Sequence, residues 1–411
     1  MTLIVNRPPR PEPAPATPAH TPAYAPFGRT LAAFVATAVL VSGQLYIVIP
    51  LLHDMAAGWH ASAGALTWLV TAFGAGYAAG FLVFGPLSDR YGRRRLLMIG
   101  LPLAAVTTAL VAVSPNPETA LALRAVQGVA VAMFPPAGLA YVAERLDPRR
   151  RVAAIAAVTA AFLASAVVLQ VAAQLLVGVT GWRGLFLLSG AGLLLAALGV
   201  RAVMLPDLPR GHGGSLLSAY RAVPGLLLDP VLALRYLATV VLMAGFVAVY
   251  TGLQIHGGAS AAGLLALRAS GLPAIVLMPV LMPWLARLAG PVRAAAFLAV
   301  AAASLAVMGV TAAAGAGLVL LLTLYVAAIT GGLPSMNEAV SARAGQARGT
   351  ALALFSFALA VGGSVGPQLA AVFDGFTPLT YGLAAGMAAA ALAVLASARP
   401  GRAPIAAPRG A

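Results

Sequence analysis

Apolar and polar positions alternate along this chain with the period of a lipid bilayer. Mostly apolar runs lie near 30–52, 64–86, 94–113, 119–143, 153–178, 183–204, 231–254, 261–285, 292–313, 316–339, 349–372 and 378–398. A helix of about 20 residues crosses a hydrocarbon core of about 30 Å. The pattern therefore predicts twelve transmembrane helices in an all-α membrane protein, with the shortest breaks near 180 and 314. Residues 1–27 hold eight prolines and no continuous apolar stretch. They are expected to form a disordered tail and do not read as a signal peptide. A polar linker at 205–230 divides the runs six and six. The expected organisation is a tail at 1–27, a six-helix half at 28–204, the linker, a second half at 231–398 and a short tail at 399–411.

Composition excludes the main alternative. The chain is 61% hydrophobic and 9% charged, with a mean hydropathy of +0.95. A typical soluble domain is about one quarter charged, so an ordinary water-soluble enzyme is ruled out. The absence of cysteine removes disulfides, iron–sulfur clusters and cysteine–zinc sites.

The net charge of +15 calls for nucleic acid only until the charges are placed. All 25 basic residues are arginine, and 22 of them fall in the tails, the linker and alternate loops. That asymmetry puts both tails and the linker in the cytoplasm. The expected location is a bacterial inner membrane. The basic loops face lipid headgroups and require no nucleic acid. Arg90 and Arg287 are 197 residues apart, and so are Arg151 and Arg348. A shared offset points to an internal duplication, the layout of a transporter whose halves rock against each other.

The most specific segment is Gly85-Pro86-Leu87-Ser88-Asp89-Arg90-Tyr91-Gly92-Arg93-Arg94-Arg95. Gly85 and Gly92 permit a tight turn and close helix approach. Asp89, a single acid among four arginines, can pair with them or satisfy free N–H groups at a helix N-terminus. The segment resembles the loop between helices two and three of the major facilitator superfamily. The twelve-span, six-plus-six layout extends the resemblance over about 28–400. It implies alternating access and a conformational latch of Gly85, Asp89, Arg90, Gly92, Arg93, Arg94 and Glu144. In such a latch Asp89 would lie near the start of the eleventh helix.

Arg124 lies inside the fourth run, where a charge costs roughly 2.5–3.5 kcal/mol on insertion scales and normally faces a cavity or a partner. Arg124 with Gly128 resembles the family's fourth-helix motif linked to proton coupling; the plainer reading is an arginine snorkelling to the edge. Glu338, toward the cytoplasmic end of the tenth run, is the acid nearest the membrane interior and the second coupling candidate. Polar and aromatic residues inside runs supply the expected substrate surface: Gln44, Tyr46, Gln127, Gln170, Gln174, Tyr250, Gln254, Arg268, Tyr325 and Asn337. In this family helices one, four, seven and ten line the cavity, which favours Gln44, Gln127, Tyr250 and Tyr325. No acid falls at a predicted bilayer centre, which argues against a strictly cationic solute and favours a neutral or anionic one.

The expected function is proton-coupled efflux of a small organic solute. An importer or facilitator of the same fold is the alternative, because the fifth run lacks the Gly-Pro pair usual in exporters of the resembled family. Gly362-Gly363-Ser364-Val365-Gly366 fits a serine-hydrolase elbow in letters, but no histidine follows His256, so an enzyme is a remote reading. No cofactor is expected beyond a proton gradient, and no metal. The expected partners are the solute and membrane lipid, and the expected state is a monomer.

Overall fold

The computed structural model describes residues 24–207, 220–257, 259–311 and 315–398. The expectations for residues 1–23, for 208–219 of the linker and for the last tail at 399–411 lie outside the described residues. All regular structure among the described residues is helical: α1 Phe27–Gly43, α2 Leu52–Trp59, α3 Trp68–Tyr91, α4 Arg93–Ala112, α5 Pro117–Val131, α6 Phe134–Arg145, α7 Pro148–Val203, α8 Val223–Leu228, α9 Pro230–His256, α10 Ala261–Ala269, α11 Gly271–Leu285, α12 Gly290–Thr311, α13 Ala316–Ala344, α14 Arg348–Val372 and α15 Phe376–Ala396. Three long helices begin with one device. Asn116, Asp147 and Asp229 each accept a backbone N–H of the first turn, and each precedes a proline at the first helical position. The side chain satisfies a free donor, and the proline removes another.

Ten segments are long and apolar enough to cross a membrane, α7 at 56 residues among them, and α1 is a shorter apolar helix. α7 counts as two crossings. At Gly181 the backbone takes φ 63° and ψ 171°, outside the helical region. Space for a Cβ on Gly43 is filled by Leu169, and Gly192 faces Leu40, so α1 touches α7 at nearly equal distances either side of Gly181. α7 is therefore a hairpin whose two arms meet at one residue, and the chain crosses twelve times. An even number of crossings leaves residues 24 and 398 on one face, here the tail face; the opposite one is the far face.

Three runs that read as continuous are broken. The first ends as a helix at Gly43, turns through residues 44–48 and resumes as a 3-10 turn at Ile49–Leu51 that contains Pro50. The fourth is divided between α5 and α6 just before Pro135-Pro136, and the eighth between α10 and α11 three residues before Pro273. Proline supplies no N–H and crowds the preceding turn, so the second and third breaks follow from the sequence once its weight is allowed for. Hydropathy alone passes over them because the residues at the breaks are as apolar as their neighbours.

Small residues set the helix spacing. A Cβ on Gly76 would meet the Ala125 carbonyl at 2.1 Å, and one on Gly128 the Phe73 carbonyl at 2.0 Å, so α3 and α5 touch backbone to backbone. Gly128→Leu is therefore expected to force the helices apart, with a loss beyond the about 1–3 kcal/mol usual for overpacking. A drop in the melting temperature of purified protein checks this; an unchanged value would contradict the close contact. α14 packs against both α9 and α3 and so lies across the seam between the halves.

Candidate functional site

On the tail face, Gly92 takes φ 103° and turns the chain from α3 into α4, a conformation that glycine adopts freely. The turn places Arg93 inward. It is 7% exposed and donates to Ser88 Oγ at 2.6 Å and to Glu144 Oε1 at 3.0 Å. It also pairs with Asp89, whose side chain is 67% exposed. Arg93 is the only ion-pair partner of Asp89 among the described residues. Arg90 is exposed, its guanidinium 5.8 Å from the Tyr91 ring centre. Gly85 corrects one expectation: it lies inside α3 with open space around it and forms no turn.

Of the two roles expected for Asp89, the structure shows the pairing with an arginine. Asp89 does not cap a helix N-terminus. Asp207, arriving from the linker, accepts from the backbone N–H of Arg94 at 2.9 Å and of Arg95 at 3.3 Å. A Cβ at Gly92 would come within 2.3 Å of the Asp207 carboxylate. An acid at this position satisfies free donors and favours the positive end of the helix dipole. Nothing in the run pattern marks Asp207; only its place in the linker, 113 residues from Arg94, brings it here.

The second half repeats the arrangement. Arg293, in the first turn of α12, is 3% exposed, pairs with Glu338 and donates to Ser335 Oγ at 2.9 Å. Arg93 with Glu144 and Arg293 with Glu338 thus form like pairs in the two halves, 200 and 194 residues apart. Glu338 sits at the tail-face end of α13 with 58% of its side chain exposed, so it is not within the membrane centre. Asn337 beside it is half-buried.

Arg124 is fully buried. About 10 Å along α5 from Pro117, it points inward rather than to the edge. Nε donates to the Leu69 carbonyl at 3.2 Å, Nη1 to Gln127 Oε1 at 2.7 Å and Nη2 to the Gln44 carbonyl at 2.9 Å. Its guanidinium stands 4.4 Å from the Phe73 ring centre. Gln127 also donates to Gln44 Oε1 at 3.1 Å and Thr108 Oγ1 at 2.6 Å, and Gln44 donates to Ser189 Oγ at 2.7 Å. Gln44 ends the first helix, so Arg124 supplies the donor that the unwound backbone lacks. A carbonyl freed within the bilayer has no water to turn to. Gln44 and Gln127 thus serve the arginine and not the open cavity.

The far face holds the seam. Thr71 donates to the Ser364 carbonyl at 2.6 Å, and Gln368 to Thr71 at 2.9 Å and Thr67 at 3.2 Å. Gln254 meets His53 Nδ1 at 3.0 Å and the Pro50 carbonyl at 3.4 Å. Arg268, 2% exposed, donates through Nη1 to Gln174 Oε1 at 2.7 Å and through Nη2 to Gln254 Oε1 at 2.5 Å. Arg268 and Gln254 belong to the second half, Gln174 and His53 to the first. Gln170 is buried and turned back onto the Ala166 carbonyl at 2.7 Å. Tyr250 and Tyr325 are buried in the second half, 1% and 0% exposed.

Beneath the seam lies an apolar cavity of about 50 Å3, lined among others by Tyr46, Phe162, Met243, Phe246, Ile275 and Thr330. Tyr46 is the one sequence-expected substrate residue on its wall. The Phe246 ring meets both Tyr46 and Tyr250, with centres 6.1 and 5.2 Å apart. Ser364 donates to the Ala360 carbonyl inside continuous helix α14, with no strand and no elbow. No group of three or more acids and histidines able to hold a metal occurs among the described residues.

Outside the spans, Asp229 caps α9 and accepts from Arg343 at 2.8 Å. Burial pushes its carboxyl up, but the Arg343 hydrogen bond and the amides of Leu232 and Val231 outweigh this and hold it below the usual carboxylate range. A lowered folded value means that the stabilisation is present above the unfolded value of about 3.9 and is lost as pH falls through the folded one. Asp229→Asn is therefore expected to lower the melting temperature at pH 7 and to converge with the parent chain in strong acid. Parallel melting curves across pH check this; a constant gap would contradict it.

The helical halves and their apolar spans define a multi-pass membrane protein. The sequence profile of the Major Facilitator Superfamily matches residues 34–367. The chain belongs to the Major Facilitator Superfamily. Among relatives, it is 32% identical over 188 residues to the "Probable transporter SCO4007" of Streptomyces coelicolor, covering 46% of this chain and 43% of that protein. It is 35% identical over 179 residues to the multidrug efflux pump LfrA of Mycolicibacterium smegmatis, covering 42% and 36%. It is 28% identical over 192 residues to the tetracenomycin C resistance and export protein of Streptomyces glaucescens, covering 46% and 36%. The matches span less than half the length of these relatives. The inward-open xylose transporter XylE from E. coli superposes with a TM-score of 0.70 at 16% identity, over 90% of this chain and 96% of that one.

Proposed function

We propose that this protein exports a small neutral or anionic organic solute from a bacterial cytoplasm in exchange for protons. The reading rests above all on the charge of the membrane interior. Each half buries an arginine deep within its spans, Arg124 and Arg268, while no aspartate or glutamate is buried within a span among the described residues. A cationic solute gains nothing from such an interior. The export direction draws on relatives named as efflux and export proteins. The arginine-rich tail face is the cytoplasmic one, so both termini are cytoplasmic. The hydrogen-bonded seam on the far face then closes the pathway to the outside. The latch residues Asp89, Arg93 and Glu144 engage α14 in the opposite, outward-open state, and Arg124 couples solute movement to the proton gradient. No other cofactor takes part, and one chain suffices, because it supplies both halves.

Inverted membrane vesicles test this. An imposed inside-acid gradient should drive accumulation of an anionic or neutral aromatic solute and leave a cationic one behind. No accumulation under the gradient would overturn export and favour the importer reading, for which the missing Gly-Pro pair in residues 164–171 speaks.

A further inference from the structure

The far-face seam contains one amide whose orientation its neighbours dictate. Gln254 is 6% exposed. Its Oε1 accepts from Arg268 Nη2 at 2.5 Å, and its Nε2 faces the Pro50 carbonyl at 3.4 Å and His53 Nδ1 at 3.0 Å. A guanidinium only donates and a carbonyl only accepts. Flipping the amide would set its NH2 against Arg268 and its oxygen against Pro50, so Nε2 is the atom that faces His53. That atom is a donor. His53 Nδ1 therefore accepts, and the ring that closes the seam is the neutral one, with its proton on Nε2.

His53 is exposed near the start of α2, whereas Gln254 and Arg268 are buried beneath it. Water on the far side therefore reaches the ring. A proton added at Nδ1 turns the acceptor into a donor, and two donors then oppose each other across 3.0 Å. Gln254 cannot turn over to meet the charged ring, because Arg268 and Pro50 hold its amide. The bond that is lost joins the halves, since His53 belongs to the first and Gln254 to the second. The other titratable groups around α2 do not act on that bond. α2 itself carries Asp54 and His60, both exposed. The 3-10 turns Ile49–Leu51 and Ala65–Thr67, packed on α2, carry none. α7 brings Arg183, which lies 4.1 Å from the Trp182 ring centre and donates to the Ser114 carbonyl at 3.4 Å. α9 brings Tyr250, buried, and His256, whose Nε2 meets the Ala370 carbonyl at 2.8 Å within the second half. A charged His256 keeps that bond, because its Nε2 then donates.

We propose that His53 is a proton-binding site on the outer side of the membrane, and that its protonation unties Gln254 and opens the far-face seam. A ligand shifts a conformational equilibrium only by its differential affinity for the two states. Here the ligand is the proton, and the difference is a hydrogen bond that only the closed seam makes and only the neutral ring permits. An acid exterior thus favours the outward-open state, in which a proton-driven exporter releases its solute. Arg124 is no part of this cluster, since its acceptors are Leu69, Gln127 and Gln44 of the first half. The proposal rests on the transporter reading given above in taking the far face as the outer one, and deepens it by naming the residue through which outer pH acts.

The distance between two spin labels tests it without any solute. The chain has no cysteine, so Ala65→Cys and Ala262→Cys, exposed far-face positions in the first and second halves, can be labelled alone. Between about pH 8 and about pH 5, the range in which histidine changes charge, the ratio of separated to close label pairs in the full-length protein should rise at least about fivefold, what one hydrogen bond is worth. His53→Asn keeps an acceptor near the Nδ1 position but takes up no proton, and should hold the close distance at both ends of the range. His53→Lys carries a fixed charge there and should show the separated distance throughout. His256→Asn should respond as the parent chain does. A parent ratio unmoved by pH, a His53→Asn variant that follows the parent, a His53→Lys variant that stays close, or a response lost in His256→Asn would overturn the switch. Solute accumulation in vesicles beside such a result would leave the exporter reading standing. A pH response carried by His53 with no accumulation would leave the switch standing while export falls.

Discussion

Replacing Arg124 with alanine is expected to reduce proton-driven flux by at least about tenfold and to flatten its dependence on pH. The side chain is fully buried and holds together three segments: Leu69 at the start of α3, Gln44 at the unwound end of α1, and Gln127 on its own helix. Its loss strands two backbone carbonyls and one amide oxygen away from water, at about 1–3 kcal/mol each. Stability and function must therefore be read separately. Arg124→Lys keeps the charge but cannot reach three acceptors with one ammonium group. It is expected to recover folding more than flux. Initial rates in proteoliposomes across pH, set beside melting temperatures, separate the two effects. A pH profile unchanged in Arg124→Ala would end the coupling role while leaving a structural one.

Asp89→Asn is expected to give the second large effect, with the opposite signature. The side chain is 67% exposed and its one partner here is Arg93. Arg93 keeps Ser88 and Glu144 when Asp89 is neutralised. Stability should change by no more than about 0.5 kcal/mol, as for most surface substitutions. Transport should nevertheless fall by at least about tenfold, because in the proposed outward-open state the carboxylate engages α14. Equal membrane abundance with a low initial rate supports this; a normal rate would count against the latch.

Much of the architecture could be read from the chain. Twelve apolar runs and the one-sided placement of arginine specify the crossings, because the bilayer permits little besides helices. The Asp89–Arg93–Glu144 cluster was approachable through its motif. The interior of the site was less legible. The turn at 44–48 is as apolar as a helix, and its cause, a carbonyl taken by Arg124 from 80 residues away, is a tertiary contact. Gln44, Gln127, Gln174 and Gln254 look like substrate ligands in sequence, yet each holds an arginine or accompanies one. A glutamine inside a span shows only that some polar partner exists, not which one. Asp207 was invisible for a related reason, since a linker residue carries no periodic signal.

The single-residue joint at Gly181 has a mechanical outcome. One arm of that hairpin meets Arg268 through Gln174 and Gly271 through Val167, while the other rests on α4, where Gly190 touches the Ala105 carbonyl. A bend of one residue ties the two arms closely end to end. The hairpin thereby joins the place where the two halves meet to the helix that begins at Arg93, some 90 residues earlier in the chain.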